Sequence, residues 1–150
     1  MSTYLILLTY NPGPIFIKWI NAVKEQVCSV NILIVDSSST DGTDFSALPT
    51  NTQIKYIHPK DFNHGATRNW ALQFAPLQTD VVVFMTQDAL LANSDSLQRL
   101  LAAFNDPAVA CAYGRQLPHA DATPIAAHAR MFNYPDASKT VGIDEQPRLG

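Results

Sequence analysis

The chain has 150 residues, 47% of them hydrophobic, and a net charge of -3. That suffices for one domain with a real core. Without a Lys/Arg cluster it argues against a nucleic-acid partner. No apolar run reaches the roughly 18 residues that a bilayer span needs, and Tyr4 to Leu8 is too short, and too poorly flanked by basic residues, for a signal peptide. Cys28 and Cys111 stand far apart and read as buried thiols of a cytosolic protein, not as a disulfide or a zinc site.

In chain order, Tyr4 to Thr9 reads as a buried strand stopped by Tyr10-Asn11-Pro12-Gly13-Pro14. Pro14 suits the first turn of a helix, where its missing N–H costs nothing. Phe16, Trp19, Ile20, Val23 and Val27 then recur at helical spacing, with Lys18, Lys24 and Glu25 off the stripe. Asn31 to Val35 is a second buried strand, ending in Asp36-Ser37-Ser38-Ser39-Thr40-Asp41-Gly42-Thr43, whose short polar residues favour turns. A weaker strand covers Gln53 to Ile57, before the His58-Pro59 break. Gly65 opens a helix through Phe74.

The stretch that opens at Asp80 carries an apolar, β-branched run through Met85 that suits a strand buried on both faces of a parallel sheet, and it ends in Thr86-Gln87-Asp88. Asp95 and Gln98 suggest a capping box, with Leu97, Leu100, Leu101 and Phe104 as the buried stripe of its helix. Ala108 to Tyr113 reads as a further strand. Beyond Leu117 the pattern fades among Pro118, Pro124, Pro135 and Pro147, and only Ile125 to Phe132 suggests a short helix. The expected organisation is a three-layer α/β domain with a mostly parallel sheet over residues 1–117, followed by an irregular tail over 118–150.

Three polar clusters follow the ends of expected parallel strands, where ligands of open α/β sheets bind. At Asp36 a carboxylate can meet a ribose hydroxyl or a base N–H, or close an Asx-turn. Asp41-Gly42-Thr43 is a weaker signal, a turn by composition. Asp88 is a hard oxygen ligand for Mg²⁺ or Mn²⁺, or a cap. Arg68 can grip a diphosphate through its planar fork, or form a surface salt bridge. His64, beside Gly65 in a turn, can be a base or an ordinary loop histidine, and the second reading is favoured. Dinucleotide, Walker and Gly-x-Ser-x-Gly motifs are absent, as is any Cys/His metal array.

As a set, four motifs carry a resemblance: Thr9-Tyr10-Asn11-Pro12, Ile34 through Thr43, Asn63-His64-Gly65-Ala66-Thr67-Arg68-Asn69, and Phe84-Met85-Thr86-Gln87-Asp88-Ala89. In this order and spacing the chain resembles the donor-binding half of family 2 glycosyltransferases, which have the GT-A fold. Asp61-Phe62-Asn63-His64-Gly65 and Thr86-Gln87-Asp88-Ala89 are most similar to its rhamnosyltransferase branch, which uses dTDP-L-rhamnose in bacterial surface polysaccharide synthesis.

The resemblance implies that Thr9, Tyr10, Asn11 and Asp36 hold the base and ribose. Ser38, Asp41, Arg68 and Gln87 complete the expected donor-binding set. Asp88 matches the last carboxylate of the family's Asp-x-Asp motif and so implies a divalent metal, Mg²⁺ or Mn²⁺. Thr86 replaces the usual first Asp. The implied partners are a nucleotide-diphosphate sugar and a saccharide or lipid-linked saccharide acceptor, and the expected location is cytoplasmic, either free or peripheral to the inner face of the plasma membrane.

The family's general base and acceptor-binding half find no match here, Asp136, Asp144 and Glu145 lying in the wrong context. The expectation is therefore a truncated, donor-binding part that binds nucleotide weakly and turns over little. Its uncovered apolar surface predicts a dimer or higher oligomer. Two rivals remain at this level. One is a non-catalytic nucleotide-binding or assembly module. The other is a sugar nucleotidyltransferase, disfavoured because Asn11-Pro12-Gly13-Pro14 carries no basic residue.

Overall fold

The structure, a computed structural model, describes residues 1–142. Asp144, Glu145 and Pro147 lie outside the described residues. The chain divides after Ala110 into two units, earlier than the boundary expected at Leu117.

The first unit is a four-stranded, wholly parallel sheet in the order β3-β2-β1-β4, formed by β1 (Thr3–Thr9), β2 (Asn31–Asp36), β3 (Thr52–Tyr56) and β4 (Val81–Thr86). Helices α1 (Ile15–Lys24), α2 (His64–Ala71) and α3 (Ser96–Leu101) connect or follow these strands. Side-chain alternation splits the core in two. Leu5, Leu7, Ile32, Ile34, Val81, Val83 and Met85 pack with Phe16, Trp19, Ile20 and Val23 of α1 and with Leu97 of α3. Tyr4, Ile6, Leu8, Leu33 and Val35 pack with Ala71 of α2 on the other face. This is the expected three-layer arrangement.

α1 follows the stripe because Phe16, Trp19, Ile20 and Val23 fall on one face and are all buried. It stops before Val27, which is 63% exposed. There the backbone leaves the helix, and the Val27 amide donates instead to the Ser94 carbonyl at 2.8 Å. α3 also differs from expectation at its start. Asp95 precedes it but makes no side-chain cap; its carboxylate pairs with Arg99 at 2.7 Å. The Leu97 amide is capped from afar by Gln26 Oε1 at 3.0 Å.

β4 is not buried on both faces. It is an edge strand, and Phe84 is 41% exposed. The strand expected over Ala108 to Tyr113 does not form: residues 109–113 carry no ladder. Neither cysteine is buried as expected, Cys28 being half-buried and Cys111 exposed, both free.

The second unit, described from Cys111 to Gly142, contains α4 (Pro124–Asn133). Pro124 occupies its first turn, and Thr123 Oγ1 accepts the Ala126 amide at 3.3 Å. The helix expected over Ile125 to Phe132 is therefore present. None of its residues is buried.

Candidate functional site

Parallel pairing brings the polar strand ends to one edge. Thr9 is the register partner of Asp36, Asp36 of Tyr56, and Leu8 of Thr86. The three clusters read from sequence thus converge at the carboxyl edge of a doubly wound sheet, the position at which such sheets bind ligands.

Two of these loops are tied to each other. Asn11 and Ser38 adopt left-handed conformations (φ 45° and 58°), as does Gly13 at φ 61°. L-residues hold such angles only when their surroundings enforce them, and such positions cluster at functional sites. The enforcing contacts are explicit. Asn11 donates its amide to Ser39 Oγ at 2.8 Å and accepts the Thr40 amide on Oδ1 at 2.7 Å. The Gly13 amide donates to Asp41 at 2.8 Å. Ser38 Oγ donates to the Ile57 carbonyl at 2.8 Å, anchoring its turn to the segment after β3.

Asp36 is 1% exposed. It accepts the Ser39 amide at 2.8 Å and the Ser39 hydroxyl at 2.6 Å, an Asx-type closure of the strand. Asp41 is exposed, and its carboxyl is held below the usual carboxylate range. The Thr43 hydroxyl is the main cause, with the Gly13 and Thr43 amides assisting. Each donates to the charged form and favours it.

A cavity of about 420 Å³ opens beside these loops, lined by Leu8, Thr9, Tyr10, Ser37, Pro59, Phe62, His64, Arg68, Thr86 and Gln87. Its helical wall is α2, whose first turn is fixed by Asn63. That side chain accepts the Gly65 and Ala66 amides, each at 3.0 Å. Fixing the start of α2 sets His64 and Arg68, one turn apart, on the cavity side. Arg68 Nη1 donates to the His64 carbonyl at 2.8 Å, and among the described residues it pairs with no carboxylate. His64, read as an ordinary loop histidine, instead opens α2 and stands edge-on to Phe62 at 4.9 Å.

Of the expected donor-binding residues, Thr9, Tyr10, Arg68 and Gln87 line the cavity, while Asn11, Asp36, Ser38 and Asp41 build the loops beside it. Leu8, Pro59, Phe62 and Ser37 were missed as lining residues. Phe62 lies inside a motif that carried the resemblance, which was the available signal for it.

Asp88 sits in a turn closed by the Ala89 amide on the Thr86 carbonyl at 3.1 Å. It is exposed and caps no helix. No group of three or more His, Cys, Asp or Glu is assembled to hold a metal among the described residues. A single hard carboxylate at this edge does not make a protein cage. It does fit a cation that takes the rest of its shell from a diphosphate and water.

The sequence profile of Glycosyl transferase family 2 matches residues 4–147. The chain belongs to that family. The O-antigen chain rhamnosyltransferase RfbN of Salmonella typhimurium is 44% identical over 152 residues, covering 100% of this chain and 48% of that protein. The O-antigen chain rhamnosyltransferase WbaN of Salmonella anatum is 48% identical over 135 residues, covering 89% of this chain and 42% of that protein. The chain therefore spans about half the length of the curated relatives it matches.

Among solved structures, the mannosyltransferase PcManGT from Pyrobaculum calidifontis, in complex with GDP-Man and Mn²⁺, superposes with a TM-score of 0.61 at 26% identity. That match covers 72% of this chain and 33% of the other. S. aureus TarS 1-349 in complex with UDP superposes at 0.55 with 24% identity, covering 79% and 38%, and bears on the fold alone. The fold of this family member is accordingly that of the GT-A glycosyltransferases. No described helix is long and apolar enough to cross a membrane.

Proposed function

We propose that the chain is the donor-binding part of an inverting glycosyltransferase. The intact protein would move L-rhamnose from dTDP-L-rhamnose to a saccharide or lipid-linked saccharide acceptor in bacterial surface polysaccharide synthesis. The observation that carries this reading is the cavity at the sheet's carboxyl edge, where Thr9, Tyr10, Arg68 and Gln87 meet. Support for the sugar comes from two relatives, each named an O-antigen chain rhamnosyltransferase.

In this reading the nucleotide lies in the cavity between the β1 loop and α2. Arg68 offers its fork to an anionic or carbonyl oxygen of the donor. His64 and Phe62, edge-on to each other, supply aromatic surface against which a ring can pack. Asp88 would hold the divalent cation from one side. When bound, such a cation offsets the charge that develops on a departing diphosphate. The acceptor hydroxyl gives its proton to a general base, and none of the residues assigned here takes that role.

The test is calorimetric titration of the chain with dTDP, UDP and GDP, each with and without Mn²⁺. The expected result is measurable binding, tightest for dTDP and strengthened by Mn²⁺. If no nucleotide binds, the donor-site reading fails. If GDP binds tightest, the dTDP-rhamnose assignment fails.

A further inference from the structure

The register of β1 with β4 ends at Leu8 and Thr86, because β4 turns away through the bend closed at Ala89. Tyr10 would then have no strand partner on that side. A side chain supplies one. Gln87 Oε1 accepts the Tyr10 amide at 2.7 Å, and its Nε2 donates to the Tyr10 carbonyl at 3.1 Å. The primary amide thus does for Tyr10 what a neighbouring peptide does within a sheet.

The orientation of this amide follows from its partners. A backbone N–H only donates and a backbone carbonyl only accepts, so oxygen must face the first and nitrogen the second. Gln87 Oε1 also accepts the Thr9 hydroxyl at 2.9 Å. An amide oxygen offers two lone pairs, and both are taken. One Nε2 proton is left over. Few residues can do this. Asn is one methylene shorter, and an ionised Glu has no donor for the Tyr10 carbonyl.

Gln87 immediately precedes Asp88 in the same turn, and both Gln87 and Tyr10 line the cavity. We propose that Gln87 is a positioning residue, a side-chain clamp that holds the Tyr10 end of β1 against the turn carrying Asp88. The end of β1 and the turn after β4 then keep a fixed separation. Its consequence for nucleotide binding rests on the donor-site reading above, whereas the clamp itself does not. In this assignment Gln87 acts through Tyr10 and Asp88, not through its own contact with the donor.

The clamp is tested by amide hydrogen exchange followed by NMR on the ligand-free chain. One Gln87 Nε2 proton should exchange about tenfold or more slowly than those of the exposed Gln98. In Gln87→Met, which keeps the length and loses all three bonds, exchange at the Tyr10 amide should rise about tenfold or more, with Leu5 and Leu7 unchanged. The same variant should bind dTDP with Mn²⁺ about tenfold more weakly, and should add little to the loss already caused by Asp88→Ala.

Unchanged Tyr10 exchange in Gln87→Met overturns the proposal. So does unchanged dTDP–Mn²⁺ affinity alongside raised exchange, which would leave Gln87 a contact of the fold only. A parent chain that binds no dTDP sinks the donor-site reading, while Tyr10 exchange still decides the clamp. Should Gln87→Met fail to fold, the Nε2 protons of the unsubstituted chain decide it.

Discussion

Ser39 closes on Asp36 with both of its donors, the amide reaching one carboxylate oxygen at 2.8 Å and the hydroxyl the other at 2.6 Å. The same hydroxyl oxygen accepts the Asn11 amide. One small side chain therefore joins a buried carboxylate to the neighbouring loop. Ser39→Ala leaves one Asp36 oxygen and the Asn11 amide without partners, and should destabilise the chain by about 1–3 kcal/mol. Urea unfolding with an unchanged slope measures this; a loss well under 1 kcal/mol would mean that water replaces both contacts.

Arg68 is half-buried on the cavity wall, and its bond to the His64 carbonyl stays within α2. Its removal should cost little stability, within about 0.5 kcal/mol. Nucleotide affinity should suffer more. Arg68→Ala is expected to weaken dTDP binding about tenfold, with Arg68→Lys recovering only part of the loss because a point charge lacks the fork. Calorimetry on both variants checks the order. Full recovery by Lys would show that charge alone matters.

Asp88 is exposed and makes no hydrogen bond among the described residues, so Asp88→Ala should melt at the parent's temperature. The predicted effect is confined to the metal. The gain in dTDP affinity on adding Mn²⁺ should vanish, while affinity without Mn²⁺ stays the same or rises as a negative charge is removed from the diphosphate's surroundings. Retention of the Mn²⁺ gain would place the cation elsewhere.

The central strands were legible because their environment is uniform. Leu5 to Leu7 and Ile32 to Val35 are buried on both faces, so an unbroken apolar run is the right signature. Val81 to Met85 carries the same signature at an edge, where Phe84 stays half open. Composition records hydrophobicity and not what covers it. Ala108 to Tyr113 misleads in the same way. The convergence of Thr9, Asp36 and Thr86 followed from parallel order alone. The clamp did not, since Gln87 meets Thr9 across 78 residues of sequence and no local pattern encodes that distance. Phe62 and Leu8 escaped because lining a cavity depends on side-chain direction, which follows only once helix and strand are placed.

Asp41 ties the β2 turn to the β1 loop through the Gly13 amide. Its folded pKa is lowered, chiefly by Thr43. The folded state therefore prefers the ionised form, and the latch is complete above the unfolded Asp value of about 3.9. It is lost as pH falls through the folded value, which lies below that range. An NMR titration of the Asp41 carboxyl should show a midpoint under the ordinary Asp value, and Thr43→Val should raise it. A midpoint that ignores Thr43→Val would refute the assigned cause.

Gln26 provides the control that separates fold from site. Its Nε2 donates to the Ala22 and Asn93 carbonyls at 3.0 and 2.8 Å, and its Oε1 caps the Leu97 amide at 3.0 Å. α1 starts after the carboxyl end of β1 and leads to the amino end of β2, so Gln26 lies at the edge of the sheet away from the cavity. Gln26→Ala removes the cap of α3 and should destabilise the chain by about 1–3 kcal/mol, with faster amide exchange at Leu97. Its dTDP affinity with Mn²⁺ should equal the parent's at temperatures where both are folded. Weakened binding there would mean that α3 and the Asp88 turn are coupled through residues 89–95, and that the donor site is not held by the carboxyl edge alone.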